Sequence, residues 1–270
     1  MLARLLHVRN IPCVIFEGEL SLDVRSQGGT LDLRAKTGLV AIKEAGLWDE
    51  FQEQARYDGE SLLVTDKNLT TWMRRSPGSP SQKRKIAEAP EIDRSDLRNI
   101  LLMSIPDESI RWGMKLAGIQ ETDAGCELHF ANGEIERGFD LIVGCDGAFS
   151  KTRALLTSEQ PFYTGLGGWS MQIPDAEVNA PEVYRFVNRG SVFAYSDGKS
   201  MSIQQLSSGN ISISTYRPRI EEDPRRSDFK IGDLAAVKQE LLISYQDWDP
   251  ALQEAIMQAQ GETVWRSLYM

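Results

Sequence analysis

One short stretch of the sequence combines an acidic side chain, a glycine and a hydroxyl group in an order that suits ligand binding. Five apolar or small residues, 141–145, precede Asp146 and Gly147, and we expect a helix to begin near Ser150. A short apolar run of this kind is typical of a parallel strand that is buried on both faces. Ligands of open α/β sheets bind at the carboxyl ends of strands, where an Asp can contact them and a Gly lets them approach the backbone. An Asp-Gly pair is also common in ordinary turns, so the residues alone leave a cofactor site and a structural turn open.

A second acid follows another apolar run near the amino terminus. Residues 11–16, IPCVIF, predict a strand that ends at Glu17. In dinucleotide-binding βαβ units, an acid at the end of the second strand accepts hydrogen bonds from the adenosine ribose. The glycine-rich loop G-x-G-x-x-G and the strand before it, which would hold the pyrophosphate, are not found upstream of this run. We therefore expect an incomplete Rossmann-like sheet that lacks its first strand and its glycine-rich loop.

Two further segments place polar side chains beside predicted elements. The string RSQGGTLDL, with Arg25 and Asp32, reads by residue type as a turn into an edge strand. The string EIDRSDLRNILLM carries an apolar stripe at helical spacing, with Asp93 or Ser95 as the expected helix cap. Arg94 then stands at the start of that helix. By themselves, these residues predict an edge strand and a capped amphipathic helix.

The composition limits the class of protein. A chain of 270 residues with 41% hydrophobic and 26% charged residues is typical of a soluble globular protein with a sizeable core. The formal net charge of −9 argues against nucleic acid or an anionic membrane surface as the main partner. No apolar run approaches the roughly 20 residues that span a bilayer, so we expect no membrane segment. The three cysteines fit neither a zinc site nor a disulfide framework, which predicts reduced thiols, no metal site and a cytoplasmic location.

The second half of the chain changes character after the Asp-Gly motif. Between residues 161 and 217, short runs rich in Val, Ile, Phe, Tyr and Ser alternate with turn signals, which predicts at least four antiparallel strands. Two helices are expected near the carboxyl terminus. We therefore predict an α/β (α+β) fold with an incomplete Rossmann-like domain over residues 1–160, from which a strand and loop excursion at about 59–90 reaches toward a second domain. That second domain, residues 161–270, combines an antiparallel β-sheet with carboxyl-terminal helices.

The order of these motifs resembles that of a known enzyme family. The string D-x-x-x-G-x-D-G-x-x-S-x-x-R, residues 140–153, resembles the second FAD-binding motif of the class A flavoprotein monooxygenases, the group of para-hydroxybenzoate hydroxylase. The string GGTLDL and the helix expected after it look like the tetracycline-inactivating branch of that class. The resemblance implies an FAD-binding domain, with Asp146 and Gly147 beside the FAD ribose and pyrophosphate, and it fits the place of Glu17 at the adenosine ribose.

The resemblance also assigns roles to the remaining candidate residues. In the string R-x-D-L-R, Arg94 would reach the FAD, because a planar bidentate donor suits phosphate and carbonyl oxygens. Asp32 would help to hold the FAD from the flavin side, and Arg25 would lie near the path of NADPH. Gln172, in the string SMQIP, aligns with a substrate-facing position, and the reading of a polar strand residue satisfied by its neighbours stays open beside it.

The resemblance implies an FAD-dependent, NADPH-using monooxygenase that hydroxylates an aromatic or polyketide-like small molecule with O₂. The cofactor would supply that chemistry, and the protein would supply orientation and a dry pocket. The family's downstream G-D motif, like the glycine-rich loop, is not found, so we expect a chain truncated at both ends. The alternative is a truncated non-catalytic remnant or gene-model fragment with weak or no FAD binding. A related FAD reductase or halogenase is a third interpretation.

Overall fold

The amino-terminal part of the chain is built around a short parallel pair of strands. The computed structural model describes residues 1–22, 29–57, 61–75, 89–123, 125–220 and 233–270. Helix α1 (Leu2–Val8) leads into strand β1 (Ile15–Phe16), which pairs in parallel with β6 (Ile110–Arg111). Only the last two residues of the predicted strand 11–16 are paired, because its first four residues have no strand beside them in the described part of the chain.

Three helices pack beside this parallel pair: α2 (Gly38–Glu44), α3 (Trp48–Gln54) and α4 (Arg94–Met103). The sequence predicts one helix over residues 37–51, but Gly46 adopts a φ of 65° and ends α2, so that α3 follows as a separate helix. Arg4 of α1 donates from Nε to the Ala45 carbonyl at 2.9 Å and from Nη1 to the Ser104 carbonyl at 2.7 Å, which ties α1 to the ends of α2 and α4. The core between these elements is apolar and consists of Leu39, Ile42, Ala45, Leu47, Phe51 and Ile92.

Two small antiparallel sheets complete this half of the chain. Strand β2 (Thr30–Asp32) pairs with β5 (Glu91–Asp93), which runs directly into α4. Residues 115–120, 126–130 and 134–136, with the turn signal Asn132-Gly133, predict a small antiparallel meander. The meander is present as β7 (Leu116–Thr122), β8 (Gly125–Phe130) and β9 (Ile135–Glu136). The β2–β5 pair therefore holds the residues just before the first turn of α4 in a fixed position.

The predicted buried strand at residues 141–145 is not formed. The segment has no hydrogen-bonded strand neighbour among the described residues, and Leu141 and Val143 are 79% and 52% exposed. A strand needs such a neighbour to satisfy its backbone groups, so the apolar run stays outside any sheet of the described structure. The predicted helix after Ser150 is likewise reduced to a single 3₁₀ turn at Arg153–Leu155.

A mixed sheet of seven strands forms the second half of the molecule. Its spatial order is β14-β10-β13-β12-β11-β3-β4, and the β11–β3 contact is parallel while the other contacts are antiparallel. The strands are β3 (Leu62–Thr65), β4 (Thr71–Arg75), β10 (Tyr163–Ile173), β11 (Ser191–Ser196), β12 (Lys199–Gln205), β13 (Ile211–Pro218) and β14 (Gln260–Tyr269). Strands β3 and β4, from the first half of the sequence, thus extend the sheet at one edge.

Four helices cover one face of this sheet: α5 (Ala176–Asn179), α6 (Pro181–Val187), α7 (Leu234–Ser244) and α8 (Pro250–Gln258). The sequence predicts no helix at α6, because Val, Tyr and Phe in PEVYRFV favour strands. Its Val183 and Val187, four residues apart, are both 1% exposed, so burial on the sheet decides for the helix. None of the described helices has the length and apolar character needed to cross a membrane. Large, fully buried side chains of the core between the sheet and these helices are Met171, Ile173, Met201, Ile203, Ile211, Ile213, Leu241, Tyr245 and Leu252.

Candidate functional site

A buried ionic cluster joins the β2–β5 pair to the seven-stranded sheet. Nη2 of Arg56 lies 3.2 Å from Oε2 of Glu91 and 3.4 Å from Oδ1 of Asp93, and it also donates to the Gln205 carbonyl at 3.0 Å. Asp93 accepts hydrogen bonds from the backbone N–H of Ser207 at 2.9 Å and from its hydroxyl at 2.6 Å. The side chains of Arg56, Glu91 and Asp93 are at most 15% exposed. Contacts between distant parts of the sequence therefore fix this junction.

The expected helix cap at the start of α4 is wrong. Neither Asp93 nor Ser95 caps the helix with its side chain: the Asp93 carboxylate binds Ser207, and the Ser95 hydroxyl donates to Asp96. A buried carboxylate gains more from two donors across the junction than from one backbone N–H at the helix terminus. The carboxylate thus connects the two halves of the molecule instead of stabilising its own helix.

A cavity of about 190 Å³ opens beside this cluster, between the β2–β5 pair and the sheet. Asp32 and Glu91 are opposite each other in the β2–β5 register, and both line it. The opposite wall comes from three strands of the large sheet, β3, β4 and β11, with one residue from β12. The lining residues are Thr30, Leu31, Asp32, Ser61, Leu62, Arg75, Glu91, Ser191, Phe193 and Gln204.

The proton affinity of Glu91, which lines the cavity, is raised by its surroundings. Burial raises the pKa of Glu91 to about 7, the positive charge of Arg56 opposes that shift, and the negative charges of Asp32 and Asp93 add to it. The guanidinium of Arg75 acts in the same direction as Arg56. A carboxyl group with such a pKa exchanges its proton near neutral pH, as functional acids and bases do.

A row of polar side chains leads from Gln172 to the cavity across the uncovered face of the sheet. Registered pairs place Gln172 beside Ser212, Ser212 beside Gln204, and Gln204 beside Ser191. Because paired residues of neighbouring strands share a face and strands lie about 4.8 Å apart, the four side chains form one line. The Gln172 amide is half-buried and has no hydrogen bond to another described residue. Its functional groups are therefore available on the uncovered face.

The Asp-Gly motif forms a local turn whose carboxylate is already engaged. Asp146 accepts hydrogen bonds from the Ser150 hydroxyl at 2.6 Å and from the backbone N–H groups of Lys151 and Thr152 at 2.6 and 3.3 Å. Partial burial opposes the shift, but these hydrogen bonds lower the pKa of Asp146 below its ordinary value. Gly147 has a φ of 80°, and no atom lies within 4 Å of where a Cβ would stand. The backbone of this turn is thus open to a ligand, while the Asp146 carboxylate stabilises the turn.

The acid at the end of β1 also has a local partner. Oε1 of Glu17 accepts a hydrogen bond from the backbone N–H of Glu19 at 3.0 Å, and Oε2 of Glu19 pairs with Arg98 at 2.9 Å. Glu17 is half-buried, directly after the parallel strand pair. The acid therefore stands at the carboxyl end of a parallel strand, as the sequence predicts.

The two arginines of α4 differ in their contacts. Arg98 is bound to Glu19 and to the Leu22 carbonyl at 3.2 Å. Arg94 is exposed, and its guanidinium has no hydrogen bond or ion pair with any described residue. Of the two side chains, Arg94 is the one that is free to contact a ligand. Arg25, the remaining candidate, lies outside the described residues.

The structure brings Asp32 and the row from Gln172 to one cavity, but it adds residues that the sequence analysis missed. Glu91 and Arg56 are 35 positions apart, and Arg56 and Gln205 are 149 positions apart. An acid in a three-residue strand before a helix carries no sequence signal of burial. The sequence feature that comes nearest to predicting this cavity is the alternation of polar residues along β12. It predicts a polar strand face, but not that the β2–β5 pair lies opposite that face.

The fold is that of the FAD-dependent monooxygenases. HpxO from Klebsiella pneumoniae, solved in complex with FAD and uric acid, superposes with a TM-score of 0.74 at 19% identity, over 99% of this chain and 64% of HpxO. The tetracycline destructase Tet(55) superposes with a TM-score of 0.66 at 18% identity, over 99% of this chain and 65% of Tet(55). Both parts of the fold, the parallel strand pair with its helices and the mixed sheet, are therefore shared with these proteins.

Sequence comparison also finds a monooxygenase. The monooxygenase asqM of Emericella nidulans is 30% identical over 228 residues, which are 79% of this chain and 46% of asqM. No family model matches the chain. The chain is therefore similar in sequence to a monooxygenase, and it spans less than half of the length of this curated relative.

Proposed function

We propose that this chain is part of an FAD-dependent monooxygenase that uses NADPH and O₂ to hydroxylate an aromatic or polyketide-like small molecule. The observation that carries the proposal is the cavity where the β2–β5 pair meets the polar face of the sheet, in a chain with the fold of FAD-complexed monooxygenases. A bound FAD would supply the reaction with O₂. The protein would bind and orient the cofactor and the substrate and exclude water from them.

The proposal divides the chain into an FAD-binding unit over residues 1–160 and a substrate-binding unit over residues 161–270. In the first unit, Arg94 offers a free guanidinium and Gly147 an open backbone, both of which suit phosphate oxygens. Glu17 would contact the adenosine ribose, and Asp32 would face the flavin side at the cavity. Asp146 would act through its turn, because its own carboxylate already accepts three hydrogen bonds.

Arg25 would lie near the path of NADPH. It is proposed by resemblance alone, since it falls outside the described residues. The row from Gln172 to Ser191 would hydrogen-bond the oxygen or nitrogen atoms of the substrate, and the free amide of Gln172 supports that role. A substrate that suits this row is a ring with oxygen or nitrogen atoms at its edge, such as the uric acid that is bound in the HpxO complex.

Flavin content and product analysis test this function. Full-length protein is purified, incubated with FAD and desalted, and its visible flavin absorbance is recorded. NADPH oxidation is then followed with and without candidate aromatic substrates, and isotopically labelled O₂ shows by mass spectrometry whether one oxygen atom enters the product. We expect a yellow protein whose NADPH oxidation is coupled to a labelled product.

Two results would contradict the proposal in different ways. A colourless protein that takes up no FAD would indicate a non-catalytic remnant. NADPH oxidation without label in any product would indicate a reductase.

A further inference from the structure

Glu91 is a buried acid that the proposed cofactor contacts leave unused. Its side chain is 8% exposed, and it lines the cavity together with Asp32. One carboxylate oxygen lies 3.2 Å from Nη2 of Arg56, and the other has no hydrogen bond to a described residue. A buried carboxylate with one unfilled acceptor beside a cavity is positioned to bind a donor from a ligand.

The contacts within the cluster explain why Glu91, and not Asp93, can accept a hydrogen bond from a ligand. Arg56 is the single guanidinium in contact with both Glu91 and Asp93 among the described residues. Asp93 receives two further hydrogen bonds from Ser207, whereas no further described residue donates to the Glu91 carboxylate. Glu91 therefore keeps an acceptor open toward the cavity, and burial raises its pKa, which favours the protonated form.

The other residues that line the cavity indicate which kind of ligand would fit it. Leu62 and Phe193 provide an apolar surface, and Ser191 and Gln204 present a hydroxyl and an amide. Pockets that hold drug-sized ligands commonly measure about 300–1,000 Å³, so the smaller volume of about 190 Å³ limits the ligand to one ring or a fused pair of rings. Glu91 and Asp32 disfavour a carboxylate on that ring, while a ring N–H or O–H would match the open oxygen of Glu91.

We propose that Glu91 is a specificity-determining residue that accepts a hydrogen bond from a ring N–H or O–H of the substrate in this cavity. This inference rests on the proposed function, because it treats the cavity as part of the substrate site. The chemical class of ligand is a small aromatic or heteroaromatic ring that carries a hydrogen-bond donor. Rings of the same shape without the donor would enter the cavity but bind less tightly.

The interaction should depend on pH. A charge-assisted hydrogen bond is about twice as strong as a neutral one, so ionised Glu91 binds the donor better than protonated Glu91. The groups that act on Glu91 are Arg56 and Arg75, which favour its ionised form, and Asp32 and Asp93, which disfavour it. Affinity for donor-bearing rings should therefore rise with pH around the Glu91 pKa of about 7.

The test measures binding directly, with phenol as the donor-bearing probe and anisole as its methylated counterpart. Dissociation constants are determined by calorimetry at about pH 6 and about pH 8, below and above the folded pKa. For the wild-type protein we expect the phenol affinity to rise roughly tenfold over this interval, while the anisole affinity stays nearly constant. Glu91→Gln should remove the rise for phenol, and Glu177→Gln, at an exposed site on α5, should leave it unchanged.

The wild-type comparison keeps the inference falsifiable even if Glu91→Gln fails to fold. Equal pH profiles for phenol and anisole would overturn it, and so would a folded Glu91→Gln protein that keeps the rise for phenol. The readout does not require catalysis. Protein that binds phenol as described but takes up no FAD would contradict the proposed monooxygenase and leave the Glu91 site standing.

Discussion

Single residues in this protein show that the same acid can serve a turn or a ligand, depending on its immediate neighbours. The Asp146 carboxylate accepts three hydrogen bonds within its own turn, whereas Glu91 has an oxygen without a partner among the described residues. Both are carboxylates in short segments next to helical turns, and only the number of donors in reach separates them. Two arginines show the same contrast: the Arg94 guanidinium has no partner among the described residues, whereas the Arg98 guanidinium is paired with Glu19.

Replacing Asp146 tests its structural role. Asp146→Ala removes the acceptor for Ser150, Lys151 and Thr152, and loss of a comparable side-chain cap costs about 1 kcal/mol. We expect a fall of that size in the free energy of unfolding, measured by urea denaturation. Asp146→Asn should lose less, because an amide oxygen still accepts backbone hydrogen bonds. Equal stability of Asp146→Ala and wild type would show that the turn does not need this side chain.

Replacing Arg94 tests cofactor binding without disturbing the fold. Because the guanidinium has no described partner, Arg94→Met should leave the melting temperature unchanged. If Arg94 donates to FAD, losing a hydrogen bond to a charged group should weaken FAD binding roughly tenfold or more, as measured by fluorescence titration. Arg98→Met is the matched control, and it should lower stability because Arg98 binds Glu19 and Leu22. An unchanged FAD affinity in Arg94→Met would remove Arg94 from the site.

Packing partners, rather than local propensity, decide which elements form in this protein. The apolar run at residues 141–145 satisfies the pattern of a buried strand, yet it remains unpaired in the described structure. Helix α6 forms from residues that favour strands, because Val183 and Val187 are buried on the sheet. In the sheet itself, β10 crosses β13 so closely that Gly168 is required: a Cβ there would stand 1.6 Å from the Thr215 carbonyl oxygen.

Substitution of Gly168 tests this close strand contact. Gly168→Ala would force β10 and β13 apart, and overpacking of this kind costs about 1–3 kcal/mol or more. We expect a lower melting temperature and a large loss of soluble protein. Ser202→Ala, on the uncovered face of β12, removes no hydrogen bond to a described residue and should change stability little. A Gly168→Ala protein as stable as wild type would show that the strands can separate at low cost.

The two halves of the molecule meet at a junction whose net charge depends on pH. Two buried carboxylates share Arg56, and burial raises the pKa of Glu91 from 4.5 to about 7. The folded protein therefore binds a proton more tightly at Glu91 than the unfolded chain does. The stability linked to Glu91 is fully present below the unfolded pKa and is lost as pH rises through the folded pKa.

Unfolding measurements at several pH values test this linkage. The free energy of unfolding of wild type, relative to that of Glu91→Gln, should fall by roughly 1.4 kcal/mol per pH unit between the two pKa values and level off above the higher one. The total change should be about 3 kcal/mol. Using the difference between the two proteins removes the contributions of other acids, such as Asp146. A difference that does not vary with pH would mean that Glu91 stays ionised in the folded protein.

The sequence by itself determined most elements and the family resemblance, because these depend on local periodicity and turn residues. The meander, the strands β10 to β13 and the helices α7 and α8 follow from spacing, and the turns before β11 and β12 contain Asn188 and Asp197 in left-handed conformations where turn signals occur. Only the tertiary structure decided which polar groups meet. The cluster of Arg56 with Glu91 and the row from Gln172 to the cavity join residues that are far apart in the chain. Such contacts depend on how the elements pack, and packing also sets the burial that raises the Glu91 pKa.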